Sequence, residues 1–125
     1  MCSSARRVDR EALGIVVHAE GEHAVIGLSG EIDASTAPGL RTSLDAVLRT
    51  RRHVVLDFSG VAFFGSTGWR VIVDAAERAA AADGGLEIVG VHAPAARVFE
   101  LCDPTGAAPV SLSPDATPRA PSGRD

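Results

Sequence analysis

The sequence predicts an α/β fold: a mixed β-sheet, mostly parallel with an antiparallel edge, and helices packed on it in the order β-β-α-β-α-β-α. Three observations lead there. Short apolar, β-branched runs recur along the chain, at Leu13 to His18, Ala24 to Ser29, His53 to Phe58 and Leu86 to Val91. The first two are separated only by Ala19-Glu20-Gly21-Glu22, whose polarity and glycine suit a hairpin. The later ones are separated by stretches of helical period, and strands joined through helices run parallel.

The elements follow in order. After Gly30-Glu31-Ile32-Asp33 the apolar period lengthens, and Leu40, Leu44, Val47 and Leu48 form a helical stripe. Pro38 is tolerated only in the first turn, so the cap is expected near Ser35 or Thr36. Arg49-Thr50-Arg51-Arg52 closes the helix as a solvated terminus whose charge suits the negative end of the dipole. Val54, Val55 and Leu56 run together without alternation, as in a strand covered on both faces. A loop over Ser59 to Gly65 is expected next, then a helix over 67–82. Its predicted buried stripe is Trp69, Ile72, Val73, Ala76 and Ala80, with Arg70, Asp74 and Arg78 as an exposed i, i+4 charge ladder. Asp83-Gly84-Gly85 stops it. Pro94 opens a short helix carrying Val98, Phe99, Leu101 and Cys102, and Asp103-Pro104 ends it. Val110 to Leu112 fits a brief edge strand.

A chain of 125 residues with 46% hydrophobic content has enough sequence for one domain with a single modest core. Residues 1–12 read as a flexible leader, 13–112 as the domain and 113–125 as a disordered proline-rich tail. The net charge is −4 and no basic cluster is interleaved with aromatics, so nucleic acid is not an expected partner. The apolar runs are too short for membrane insertion, and no signal-peptide core follows the first arginines; a cytoplasmic location is expected. Cys2 and Cys102 fall in unrelated contexts, so no disulfide is expected, and Cys102 reads as a small core residue. His18, His23, His53 and His92 lack ligand spacing, so neither a metal nor a cofactor is expected.

The most informative stretch is Val54 to Val73. A buried strand runs into a loop, and Gly65-Ser66-Thr67-Gly68 opens a helix. Two hydroxyls thus stand where unpaired N–H groups and the positive end of the dipole favour an anion. They could cap the helix, hold an anion or accept a phosphate. Helix position alone favours an N-cap for Ser66. Because the strands before Glu31 and Phe63 are expected to be parallel, their carboxyl ends share one rim. Glu31, Asp33, Phe64, Gly65, Ser66, Thr67 and Gly68 then become neighbours, with His92 and Pro94 at the periphery. Asp33 suits a local turn or a partner contact equally. Phe63 and Phe64 straddle the loop, one buried and one exposed, and an exposed Phe64 would serve as an interface anchor.

Gly30-Glu31-Ile32-Asp33 with Thr36-Ala37 and Leu40, then Val54-Val55-Leu56-Asp57-Phe58 with Val61, Phe63 and Ser66-Thr67-Gly68, and finally Arg97-Val98-Phe99-Glu100-Leu101, resemble STAS domains of the anti-sigma factor antagonist type. The resemblance spans roughly Leu13 to Leu112. It implies a non-enzymatic regulator that binds an anti-sigma factor with serine kinase activity and thereby releases a sigma factor. It implies phosphorylation at Ser66, less readily at Thr67, which ends that binding, and a phosphatase that resets it. Any ATP belongs to the partner. Glu31, Asp33, Phe64, Gly65, Ser66, Thr67 and Gly68 are the partner-binding residues it implies. The sequence departs from the pattern at Gly65, where the family has an acidic residue; glycine removes a charge and admits a positive φ. The family's final helix is also replaced by the proline-rich tail.

Two other functions fit the same residues less well. A non-phosphorylated STAS accessory subunit, for instance of a lipid-transport complex built around an ABC ATPase, is made more credible by Gly65. An esterase-like enzyme using Ser66 would need the spacing of a nucleophile elbow, which Gly65-Ser66-Thr67-Gly68 lacks.

Overall fold

The computed structural model describes residues 5–10 and 13–113. The predicted tail from residue 114 and the remainder of the leader lie outside these. Six strands form one sheet in the order β1-β2-β3-β4-β5-β6. They are β1 (Ala5–Arg10), β2 (Leu13–Glu20), β3 (His23–Ile32), β4 (His53–Phe64), β5 (Gly85–Val89) and β6 (Val110–Ser113). The helices are α1 (Ala37–Leu48), α2 (Ser66–Ala81) and α3 (Ala93–Cys102). β1–β2 and β2–β3 are antiparallel, and every pair from β3 to β6 is parallel.

The mixed sheet is therefore as the sequence predicts, with one addition. Residues 5–10, expected as leader, pair along β2 from Ala5↔His18 to Arg10↔Leu13. Arg6, Arg7, Asp9 and Arg10 hid this strand, since a charged edge strand has little apolar signal.

Each parallel step moves one place in the same direction across the sheet. With right-handed crossovers, α1, α2 and α3 must then lie on one face. Strand alternation agrees: Ala24, Ile26 and Leu28 on β3, Val54, Leu56 and Phe58 on β4, and Leu86 and Ile88 on β5 are all buried in the core. Against them pack Leu40, Leu44 and Val47 of α1 and Ile72, Ala75 and Ala76 of α2. At about 25 cal/mol per Å² of apolar surface, these layers are the main stabilising term.

Two helical stripes differ from expectation. On α2, Val73 is half-buried and Ala80 exposed, while Val71, Ala75 and Ala79 are buried. The small residues let α2 approach the sheet closely over a wider arc than the large side chains mark out. On α3, Phe99 is buried, but Leu101 is 75% exposed and Cys102 is exposed too, so the thiol is not a core residue. The ladder expected along α2 is instead a cross-brace between helices. Arg41 of α1 reaches Asp74 at 3.0 Å, and Asp45 of α1 pairs with Arg78.

Candidate functional site

β4 runs two residues ahead of β3 between the pairings Gly27↔Asp57 and Ile32↔Phe64, through register shifts at Gly27/Ser29 and Gly30/Glu31. Such bulges bend a strand and re-aim its side chains. The stretch expected as a loop is thus a continuation of β4, and it carries the chain rigidly to the rim. There Glu31 pairs with Phe63, and the Gly65 N–H donates to the Ile32 carbonyl at 3.0 Å.

α2 begins immediately. Gly65 is its N-cap, with φ −109° and ψ 173°, and no side chain caps the first turn. This corrects two expectations. Ser66 is the first residue of the helix rather than its cap, and Gly65 uses ordinary extended backbone rather than a positive φ. Ser66 and Thr67 are both exposed. Gly68 is buried: a Cβ there would overlap Ile32 Cγ2 and lie 3.0 Å from Phe64 Cε1. Glycine at this position lets α2 sit directly on the end of β3.

Phe64 is 3% exposed, so it cannot be the anchor expected of it, and Phe63, at 51%, takes the outward position. Strand parity decides this. Two bulges flip the alternation twice, returning Phe64 to the face of Leu56 and Phe58. Phe64 meets Phe58 edge-on at 5.1 Å and Phe99 at 5.1 Å, while Trp69 meets Phe99 at 5.1 Å. The residues on either side of Ser66-Thr67-Gly68 are thereby pinned by one aromatic cluster whose hub is Phe99. Such pairs add about 0.5–1.5 kcal/mol each beyond area burial.

Asp33 is local machinery. Its Oδ1 accepts the N–H groups of Ser35 at 3.0 Å and Thr36 at 3.1 Å. Thr36 Oγ1 accepts the Asp33 N–H at 2.9 Å and donates to the Glu31 carbonyl at 2.9 Å. These reciprocal bonds build a tight turn just ahead of α1, whose N-cap is Thr36, one of the two positions expected. Hydrogen bonding from Ser35, and then from the Thr36 N–H, holds the Asp33 carboxyl below the usual carboxylate range. Glu31 stays exposed on the rim.

The outward face of the rim is therefore Glu31, Phe63, Ser66 and Thr67, with half-buried Asp33 beside it, while buried Phe64 and Gly68 shape it from beneath. A groove of about 670 Å³ opens beside it, lined by Ser66, Trp69, Arg70, Arg41, Asp74 and Cys102 among others. His92, the N-cap residue of α3, places Nε2 3.1 Å from the Ser59 carbonyl. Among the described residues no histidine is hydrogen-bonded to Ser66, and no group of His, Cys, Asp and Glu could hold a metal ion. No helix among them is long and apolar enough to cross a membrane.

The STAS domain family model matches residues 14–110. The chain belongs to the STAS domain family. Its structure is similar to an anti-sigma factor antagonist from Mycobacterium paratuberculosis, with 27% identity and TM-score 0.70, over 80% of this chain and 86% of that one. It shares the fold of the anti-sigma factor antagonist SpoIIAA in its unphosphorylated form, at 18% identity and TM-score 0.65, over 82% and 89% of the two chains. The same holds for the Bacillus cell fate determinant SpoIIAA in the phosphorylated form, at 16% identity and TM-score 0.62, over 80% and 91%. No curated protein matches the chain. Within this STAS domain, the resemblance seen in the sequence and the fold seen in the structure coincide.

Proposed function

We propose that this STAS domain is a cytoplasmic anti-sigma factor antagonist. It binds an anti-sigma factor that is also a serine kinase, frees the sigma factor, and is switched off by phosphorylation at Ser66. The observation that carries this is an exposed Ser66 hydroxyl on the first turn of α2, seated on a rim braced by Phe64 and Trp69.

In the switching step, the γ-phosphoryl group of ATP held by the partner passes to Ser66 Oγ. The bond to ADP breaks and the hydroxyl proton leaves. The product carries about −1.5 to −2 charges at neutral pH. At a helix N-terminus this favours the fold by about 0.3–1 kcal/mol, so the phosphate does not act by unfolding. It acts at the docked surface, where a like-charge contact costs several kcal/mol and suffices to reverse binding. Phe63 replaces Phe64 as the aromatic anchor, and Glu31 and Thr67 complete the contact surface. The chain is a binding module in this scheme; ATP and the chemistry reside on the partner, and a phosphatase restores Ser66.

The test is binding to the cognate anti-sigma factor. Ser66→Ala should bind as the unmodified chain does, and Ser66→Glu at least tenfold more weakly, equivalent to about 1.4 kcal/mol. Equal binding by the two would remove the basis for the switch. Gly65, in place of the family's acidic residue, favours a second function as a non-phosphorylated accessory subunit of another complex, such as a lipid-transport ABC ATPase. A pull-down separates them: a histidine-kinase-like ATPase supports sigma regulation, and a transporter ATPase supports the alternative.

A further inference from the structure

The cross-brace between α1 and α2 leaves one cation of this face unengaged. Asp74 is held by Arg41 at 3.0 Å, and Arg78 by Asp45. Among the described residues Arg70 has neither an ion pair nor a side-chain hydrogen bond. It is exposed, and it lies at i+4 from Ser66, the spacing that stacks two side chains on one face of a helix. Both line the groove of about 670 Å³, together with Arg41, Asp74 and Glu77. With Ser66 neutral, the two arginines there are balanced by the two carboxylates. A phosphate upsets that balance, and Arg70 answers it without breaking an existing pair.

We propose that Arg70 is the internal receptor of a phosphate on Ser66, closing over it in cis and folding it along α2 across the groove. This rests on Ser66 being the phosphate acceptor and adds what becomes of the phosphate on the chain itself. A guanidinium is suited to the task because its planar fork meets phosphate oxygens bidentately. Arg41 is the poorer candidate, since it would first have to leave Asp74. The phosphate then covers the groove beside Trp69 and Cys102 as well as charging the rim. Arg70 is a positioning residue in this scheme.

The experiment uses the full chain with phosphoserine incorporated at position 66 during synthesis, so it needs neither kinase nor partner. Phosphorus NMR follows the second ionisation of the phosphate in the parent, Arg70→Gln, Arg70→Lys and Arg41→Gln. Nitrogen–proton spectra follow the Arg70 Nε–H group. All three substitutions are at exposed positions, and circular dichroism confirms that the variants fold. The second ionisation should move up by a few tenths of a pH unit or more in Arg70→Gln, and less in Arg70→Lys. The Arg70 Nε–H signal should shift downfield only when Ser66 is phosphorylated. Identical titration of parent and Arg70→Gln overturns the proposal, as does an unmoved Arg70 signal or a larger shift from Arg41→Gln. A kinase that fails to modify Ser66 would defeat the proposed switch and leave this titration intact. A phosphate that titrates as if free, yet still abolishes partner binding, would defeat the Arg70 contact alone.

Discussion

Ser66 and Gly68 stand two residues apart and take opposite roles. The hydroxyl is exposed and caps nothing, so Ser66→Ala should change stability by no more than about 0.5 kcal/mol in urea denaturation. A methyl at Gly68 has to displace Ile32 or Phe64, so Gly68→Ala should cost about 1–3 kcal/mol in the same assay. Gly65 is different again. Its extended backbone is what an N-cap residue adopts, and a Cβ would come no nearer than 3.4 Å to Phe63 Cε2, with Phe63 Cζ at 3.7 Å and the Ile32 carbonyl oxygen at 3.8 Å. Gly65→Asp should therefore fit, cap α2 and raise stability by a few tenths of a kcal/mol. Asp33→Ala should lower the melting temperature. The Asp33 carboxyl is depressed in the folded state, so its contribution is full above the ordinary carboxylate pKa. It fades as pH falls through the lower folded value, and melting curves of parent and variant should converge in acid.

At the level of elements, the sequence marked the parallel strands and α1 well because burial repeats there with a clean period: Leu40, Leu44 and Val47 are all core. It marked the rim less well, for physical reasons. Which of Phe63 and Phe64 points inward depends on counting bulges, and bulges are set by strand pairing rather than by local composition. The reach of β4 to Phe64 was hidden behind Ser59 and Gly60, which look like a loop. β1 carries too little apolar character to stand out. The cap of α1 was legible, since Pro38 confines the helix start and Thr36 is the N-cap residue, whereas the Asp33 turn that precedes it has no apolar signal. The aromatic cluster could not be read at all, because Phe58, Phe64, Trp69 and Phe99 come from three elements. Phe99→Ala should cost about 3–5 kcal/mol and loosen the start of α2, seen as faster amide exchange at Trp69.

At the scale of the whole fold, the sheet order and crossovers place the three helices of the described residues on one face and bring the ends of β3 and β4 to one rim. Glu31 and Ser66 are far apart in sequence yet share that rim because β3 and β4 are parallel neighbours. Strand pairing and the aromatic cluster brace the rim, so in the proposed switch a modification at Ser66 changes what the surface presents and not how the chain folds. The Arg41–Asp74 and Asp45–Arg78 pairs are exposed and worth about 0–1 kcal/mol each; their larger role is to leave Arg70 free beside Ser66.

The central claim is that an ATP-dependent partner writes a phosphate onto the outward-facing hydroxyl at the head of α2. Incubating the chain with its kinase-type anti-sigma factor and ATP, then measuring intact mass and mapping fragments, tests it directly. The account expects one added phosphate, on Ser66, and none in Ser66→Ala. A phosphate mapped elsewhere, or an unmodified chain after full incubation with a partner that binds it, would contradict the account.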